Sequence, residues 1–204
     1  MNYNNYVSIV GEIASDFEYI HSCGEKDFYR FIVATERLSG TNDMVPVKVS
    51  NDFFDISHNL KGMTVSVEGR FHSYNYNDKN GVGHLSLYVL PDKIELDEYA
   101  EHENFIHLEG TICKEPRYRT TPKGSRISDV ILAVNENKKS FYIPCIFWGS
   151  NAEYATFLSV GNRICLDGRI QSRTYNKRIG DGEYEERTCY EVSANLLEVC
   201  DEEN

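Results

Sequence analysis

Three aromatic residues in the second half of the chain sit among cations. Tyr142 follows Lys138 and Lys139, Trp148 closes the apolar run from Ile143, and Tyr175 lies among Arg169, Arg173, Lys177 and Arg178. A third basic group, Arg117, Arg119, Lys123 and Arg126, surrounds a Thr-Pro-Lys-Gly turn. Rings interleaved with cations offer flat faces for stacking planar groups and fixed positive charge for phosphates. That is binding chemistry, with no bond made or broken. The plainer readings are that Trp148 fills a core and that each basic group is a solvated face. Tyr142 and Trp148 are an even number of residues apart, so on one continuous strand they share a face. Tyr142 sits beside Phe141, so one of the pair should face inward and the other outward. The polar surroundings of Tyr175 (QSRTYNKR) favour exposure.

Signals for catalysis are weak. The histidines at 21, 58, 72, 84, 102 and 107 form no ligand spacing and no triad. No phosphate-binding glycine loop is present, and Gly180-Asp181-Gly182 reads as a hairpin turn. The cysteines at 23, 113, 145, 165, 189 and 200 include no C-x-x-C pair, which suggests free thiols in a reducing compartment. No enzyme activity, cofactor or metal is expected.

These groups must be positioned by a chain of 204 residues, enough for one large domain or two small ones. No apolar stretch approaches the ~20 residues of a membrane helix, and residues 1–6 show no signal pattern, so a cytoplasmic protein without membrane contact is expected. The net charge of −11 argues against a uniformly nucleic-acid-binding surface. Its distribution matters more: residues 1–100 hold 8 basic and 15 acidic side chains, residues 101–204 hold 13 and 17.

The chain repeats itself. Asn5-Tyr6-Val7-Ser8-Ile9-Val10-Gly11 reads like Asn104-Phe105-Ile106-His107-Leu108-Glu109-Gly110, an offset of 99 residues. The same offset relates Ala34 to Ala133, Gly62 to Gly161, Gly69-Arg70 to Gly168-Arg169 and Tyr76 to Tyr175. Near the end it becomes 103, with Val89 matching Val192, which places about four extra residues around Gly180–Glu183. Two similar domains follow, 1–99 and 104–200, joined through the acidic stretch Glu95–Glu103. Each reads as alternating strands with one short helix, marked by Phe53, Ile56 and Leu60 in the first copy and by Ala152, Ala155 and Leu158 in the second. Three strands, a helix and two strands is the order expected of a small Greek-key barrel, with a sandwich as the alternative.

The second copy resembles the bacterial single-stranded DNA-binding protein family. The matching residues run in order: Asn104-Phe105-Ile106, Gly110, Glu115-Pro116-Arg117-Tyr118-Arg119, Leu132-Ala133-Val134-Asn135, Phe147-Trp148-Gly149, Ala152-Glu153, Gly161, Gly168 through Tyr175, and Tyr190-Glu191-Val192. The first copy is similar in outline only. The resemblance implies an all-β chain of two tandem OB-folds, each a five-stranded Greek-key barrel with one short helix. It implies binding of single-stranded DNA without sequence preference in replication, recombination or repair, and no enzyme activity. It implies four OB-folds per assembly, reached here by a homodimer, with replication or repair proteins as further partners. The binding residues it implies are Tyr142, Trp148 and Tyr175 as stackers, with Arg119, Arg126, Lys139, Arg169, Arg173, Lys177 and Arg178 as the charged track. In the first copy it leaves Tyr76 and Arg70.

At a uniform offset of 99, Trp148 corresponds to Val49 and Tyr142 to Asp43, so the first copy has either a differently aligned site or a scaffold role. Members of the family usually carry a long linker and an acidic tip ending in Pro-Phe that recruits partner enzymes. The end here, Cys200-Asp201-Glu202-Glu203-Asn204, is acidic and short, so recruitment by that route is not expected. An accessory or primosome-type protein acting through protein contacts and an RNA-binding module are the competing readings.

Overall fold

A computed structural model describes residues 4–53, 58–180 and 182–200. Alternating apolar and polar residues give six strands in each half. The first half has β1 (Asn5–Ile13), β2 (Glu18–Cys23), β3 (Lys26–Glu36), β4 (Asn42–Ser50), β5 (Thr64–Asn77) and β6 (Gly83–Leu96). The second has β7 (Glu103–Ile112), β8 (Arg117–Thr120), β9 (Arg126–Glu136), β10 (Lys139–Trp148), helix α1 (Gly149–Tyr154), β11 (Arg163–Arg178) and β12 (Tyr184–Val199). The pairing order is β2-β3-β4-β6-β5-β1 in the first half and β8-β9-β10-β12-β11-β7 in the second. The added pairings β1–β3 and β7–β9 close each set into a barrel. β4–β6 and β10–β12 are the parallel contacts of a Greek-key path. These are two tandem OB-folds. Antiparallel pairing of β1 with β7, from Asn5 opposite Leu108 to Val10 opposite Glu103, joins them into one continuous sheet.

The repeat is a repeat of devices. Asn5, which is buried, donates through Nδ2 to the Phe71 carbonyl and accepts through Oδ1 from the Phe71 N–H. Asn104 makes the same two bonds with Ile170. A Cβ on Gly11 would lie 2.2 Å from the Ala34 carbonyl oxygen, and one on Gly110 would lie 2.5 Å from that of Ala133. Only glycine permits β1 and β7 to close so tightly on β3 and β9. The cores also correspond, with Val7, Ile9, Phe31, Val47, Phe71 and Val89 in one and Ile106, Leu108, Val130, Cys145, Ile170 and Val192 in the other, all buried.

Several expectations need correction. Four strands precede α1, because Arg117–Thr120 pairs along the edge of β9. The helix expected near Phe53 and Ile56 falls on residues 54–57, outside the described residues; Phe53 itself is in a turn. The helix in the second half is present, with Ala152 buried in it and Ala155 and Leu158 buried just beyond its end. The extra residues near Gly180 do not enlarge the turn. They lengthen the arms, from 14 residues in β5 and β6 to 16 in β11 and β12.

The offset is not uniform. Ala34 pairs with Met44, whereas Ala133 pairs with Tyr142. The chain takes ten residues from Ala34 to Met44 and nine from Ala133 to Tyr142, and the tighter β9–β10 turn holds Asn137 and Lys138 at φ 47° and 66°. The offset therefore drops to 98 along β4 and β10. Met44, not Asp43, takes the place of Tyr142, and Ser50, not Val49, that of Trp148. Val49 corresponds to Phe147, and both are fully buried.

The free-thiol expectation also changes: Cys165 and Cys200 form a disulfide, with Cα atoms 6.2 Å apart. Pairing of β11 with β12, continued by the Cys200 N–H bond to the Arg163 carbonyl, brings them together. No helix among the described residues is long and apolar enough to cross a membrane.

Candidate nucleic-acid interface

In β10 the buried side chains Ile143, Cys145 and Phe147 alternate with Tyr142, Pro144, Ile146 and Trp148, which point to the outer face, where Ile146 is also covered. Tyr142 is 45% exposed and Trp148 39%. Phe141 is half-buried and turns inward, as the split of that pair predicts. The register carries the outer face onward: Ile146 lies beside Ser193 of β12, and Ser193 opposite Arg169 of β11. The Trp148 indole N–H donates to Ser193 Oγ at 3.1 Å, which fixes the ring while leaving it exposed. Along β11 the same face carries Arg173, Tyr175 and Lys177. Tyr175 is 39% exposed, with the Arg173 guanidinium 5.8 Å from its ring centre. The three rings thus lie on one face spanning β10, β12 and β11.

The basic residues divide into two groups. Lys139, Arg173, Lys177 and Arg178 are exposed, and Arg178 Nε donates to the Gly180 carbonyl at 3.1 Å. Arg119 is held by Asp129 through two bonds of 2.6 and 2.9 Å, and its pKa is raised by that hydrogen bonding. Arg126 is paired with Glu153. Both of these pairs are exposed, where an ion pair is weak and exchanges readily with another anion.

Arg70 and Arg169 reach across to the other barrel. Arg169 lies 3.6 Å from Asp43; burial lowers its pKa and Asp43 opposes this. Asp43 is fully buried, binds Arg37, and accepts the Ser172 N–H at 3.0 Å. Arg70 binds Asp92 at 2.6 Å and also Glu136 of the second barrel. Burial pulls the Arg70 pKa down, but the two carboxylates outweigh it and raise it. The junction is nearly two-fold in position. Met44 N–H donates to Ser172 Oγ at 2.9 Å, and Tyr142 N–H donates to Ser73 Oγ at 2.8 Å. Its chemistry is not symmetric: where Asp43 stands in one half, Phe141 stands in the other, stacked on His72 at 3.8 Å. Tyr76 is 45% exposed on β5, stacked between Tyr74 at 6.3 Å and His84 at 5.3 Å.

Sequence reasoning missed Ser193 and the outer face of the first barrel, where Lys48 sits over two rings. The signal was there: Lys48 and Tyr88 interrupt apolar strands at outward positions. Glu109, Cys165 and Cys200 are close enough to hold a metal, but the two sulfurs are bonded to each other.

A tandem pair of OB-folds with an exposed aromatic and basic face on one of them defines the class. A family model described as "Single-strand binding protein family" matches residues 4–97 and 103–200. The chain belongs to that family. Single-stranded DNA-binding protein A of Bacillus subtilis is 34% identical over 85 residues, 38% of this chain and 49% of the relative. Single-stranded DNA-binding protein 1 of Staphylococcus aureus is 34% identical over 85 residues, 38% of this chain and 51% of the relative. The chain spans about half the length of the curated relatives it matches. The fold is similar to the crystal structure of the wild-type single-stranded DNA binding protein from Thermus aquaticus, with a TM-score of 0.71, 22% identity, and 98% and 94% of the two chains covered.

Proposed function

We propose that the chain binds single-stranded DNA without sequence preference, through residues 104–200, and protects it in replication, recombination or repair in the cytoplasm. The observation that carries this is the placement of Tyr142, Trp148 and Tyr175, exposed together on one outer face with Arg173 and Lys177 beside them. Each base stacked on such a ring contributes about 1–3 kcal/mol, and every base has a stackable face. Arg119, Arg126, Lys139 and Arg178 extend the charged track, with Arg119 and Arg126 exchanging their carboxylates for phosphates. Arg70 and Arg169 hold the two barrels together. The role is binding, not catalysis. The working unit is a homodimer presenting four barrels, and replication or repair proteins are its partners.

The test is fluorescence anisotropy of a labelled oligo-dT, with oligo-U and duplex DNA as competitors, at two salt concentrations. Tight binding of oligo-dT, weak competition by duplex, and an affinity falling by about 0.7 log units per contacted phosphate for each tenfold rise in salt are expected. Binding of duplex as tight as that of single strand, or no binding at low salt, would overturn the proposal. Sedimentation of the free chain tests the dimer.

A further inference from the structure

Two sulfurs and a carboxylate meet at one end of the second barrel. Cys165 of β11 is opposite Glu109 of β7. Each alternates with buried neighbours, Leu108 and Gly110 beside Glu109, Ile164 and Leu166 beside Cys165, so both point to the outer side. Cys200 follows β12 and is held beside β11 by its N–H bond to the Arg163 carbonyl at 3.0 Å. One donor atom from each of the three side chains lies within 4.8 Å of the other two. No other three histidine, cysteine, aspartate or glutamate side chains come so close among the described residues. All three are half-buried, which leaves an ion a way in from solvent.

What these donors can hold depends on redox state. In the disulfide the two sulfurs bind each other. A dithiol reductant supplies two electrons and two protons, which convert the bond into two thiols. A divalent ion can then replace both thiol protons. Two thiolates, a carboxylate and a water form a four-fold shell of the kind zinc accepts, with sulfur at about 2.3 Å and oxygen at about 2.0–2.2 Å. In a tetrahedron of that size the sulfurs stand roughly 3.8 Å apart. Rotation about the Cα–Cβ bonds reaches this with the Cα atoms 6.2 Å apart. Arg163 supports such a shell. Its guanidinium is 2.5 Å from one Glu109 oxygen, which leaves the other oxygen for the ion. Its charge also offsets the single negative charge that three anionic ligands leave on a divalent ion.

The first barrel shows that the frame does not require these residues. Val10 is opposite Ser66 there, as Glu109 is opposite Cys165. The Asp97 N–H bonds the Thr64 carbonyl, as the Cys200 N–H bonds that of Arg163. The same backbone arrangement thus carries valine, serine and aspartate in one half and the sulfur-rich set in the other. The other thiols compete poorly for an ion: burial raises the pKa of Cys113, Cys145 and Cys189 and keeps them protonated.

We propose that the reduced chain holds a divalent cation of the zinc class through Cys165, Cys200 and Glu109, and that oxidation to the disulfide expels it. In the reverse step a disulfide oxidant takes two electrons from the two thiolates, the sulfurs join and the ion leaves. The ion fastens β7, β11 and the end of β12 together in the reduced chain. The site uses none of the residues proposed for DNA binding, so it is independent of that reading.

The test titrates cobalt(II), a coloured substitute for zinc, into the full chain after reduction with a phosphine and removal of the phosphine without air. A single equivalent should bind, with a sulfur-to-cobalt charge-transfer band in the near ultraviolet and the intense visible bands of a tetrahedral site. Zinc should bleach both. Cys165→Ser/Cys200→Ser should abolish the charge-transfer band, and Cys23→Ser should keep it. Glu109→Gln should keep the band but weaken cobalt binding by about tenfold or more. The oxidised parent has the parent's own sequence and should show no band until reduced, which separates loss of the site from loss of folding in a variant. The proposal is overturned by a reduced parent without the charge-transfer band, or by an equal band in the oxidised parent or the double serine variant. It is equally overturned if Cys23→Ser removes the band or if Glu109→Gln binds cobalt like the parent.

Discussion

Ile127, Ile146 and Glu191 line the outer face of the second barrel where Phe28, Lys48 and Tyr88 line it in the first. Trp148 and Tyr142 stand where the first barrel has Ser50 and Met44. Beneath these faces the barrels keep the same asparagine bridge, the same close glycines and the same alternating core. A side chain pointing inward is fixed by packing on every side, whereas an outward one answers only to what it binds. The frame has therefore been kept in duplicate, and the two faces have been free to part.

The largest effect should separate the faces. Trp148→Ala combined with Tyr142→Ala should lower affinity for oligo-dT by about a hundredfold or more, from about 1–3 kcal/mol per stacked base. Ser50→Ala with Met44→Ala should leave it unchanged. An equal loss from both pairs, measured by anisotropy, would break the distinction. The next prediction tests the sameness of the frames. Asn5→Ala and Asn104→Ala each leave two backbone groups without their partner, and each should cost about 2 kcal/mol in urea unfolding. Markedly unequal losses would mean that the frames are not equivalent.

A smaller effect sharpens the charged track. Lys177→Gln should reduce the salt slope by about 0.7, a few-fold loss of affinity at low salt. The smallest concerns the junction. His72 is packed against Phe141 and Tyr88, with Glu136, Arg70 and Asp92 around it. Burial lowers its pKa from 6.5 against the pull of Glu136. The unfolded chain thus takes up this proton before the folded one does. Stability should fall as pH drops through 6.5 and level off below the lowered folded value. His72→Gln should flatten that part of the stability–pH curve, and an unchanged curve would contradict the assignment.

The repeat, the barrels and the outward turn of Tyr142 beside Phe141 were legible in the sequence because period-two alternation survives in single strands. Three things were not. The one-residue step in offset hid in a turn, where Asp43 and Met44 are equally acceptable partners for Tyr142 by eye. Arg70 and Arg169 looked like part of the basic track, since nothing near them in sequence announces Glu136 or Asp43. The Cys165–Cys200 bond depends on β11 lying beside β12, a relation that spacing does not encode.

Trp148 is the chain's single tryptophan, so its emission reports the second barrel alone. The most direct measurement is its fluorescence during titration with oligo-dT at low and moderate salt. Strong quenching that saturates at low salt and weakens steeply as salt rises is the predicted result. Emission that stays unchanged at low salt, under conditions where anisotropy shows the strand bound, would contradict stacking on Trp148 and with it the central claim.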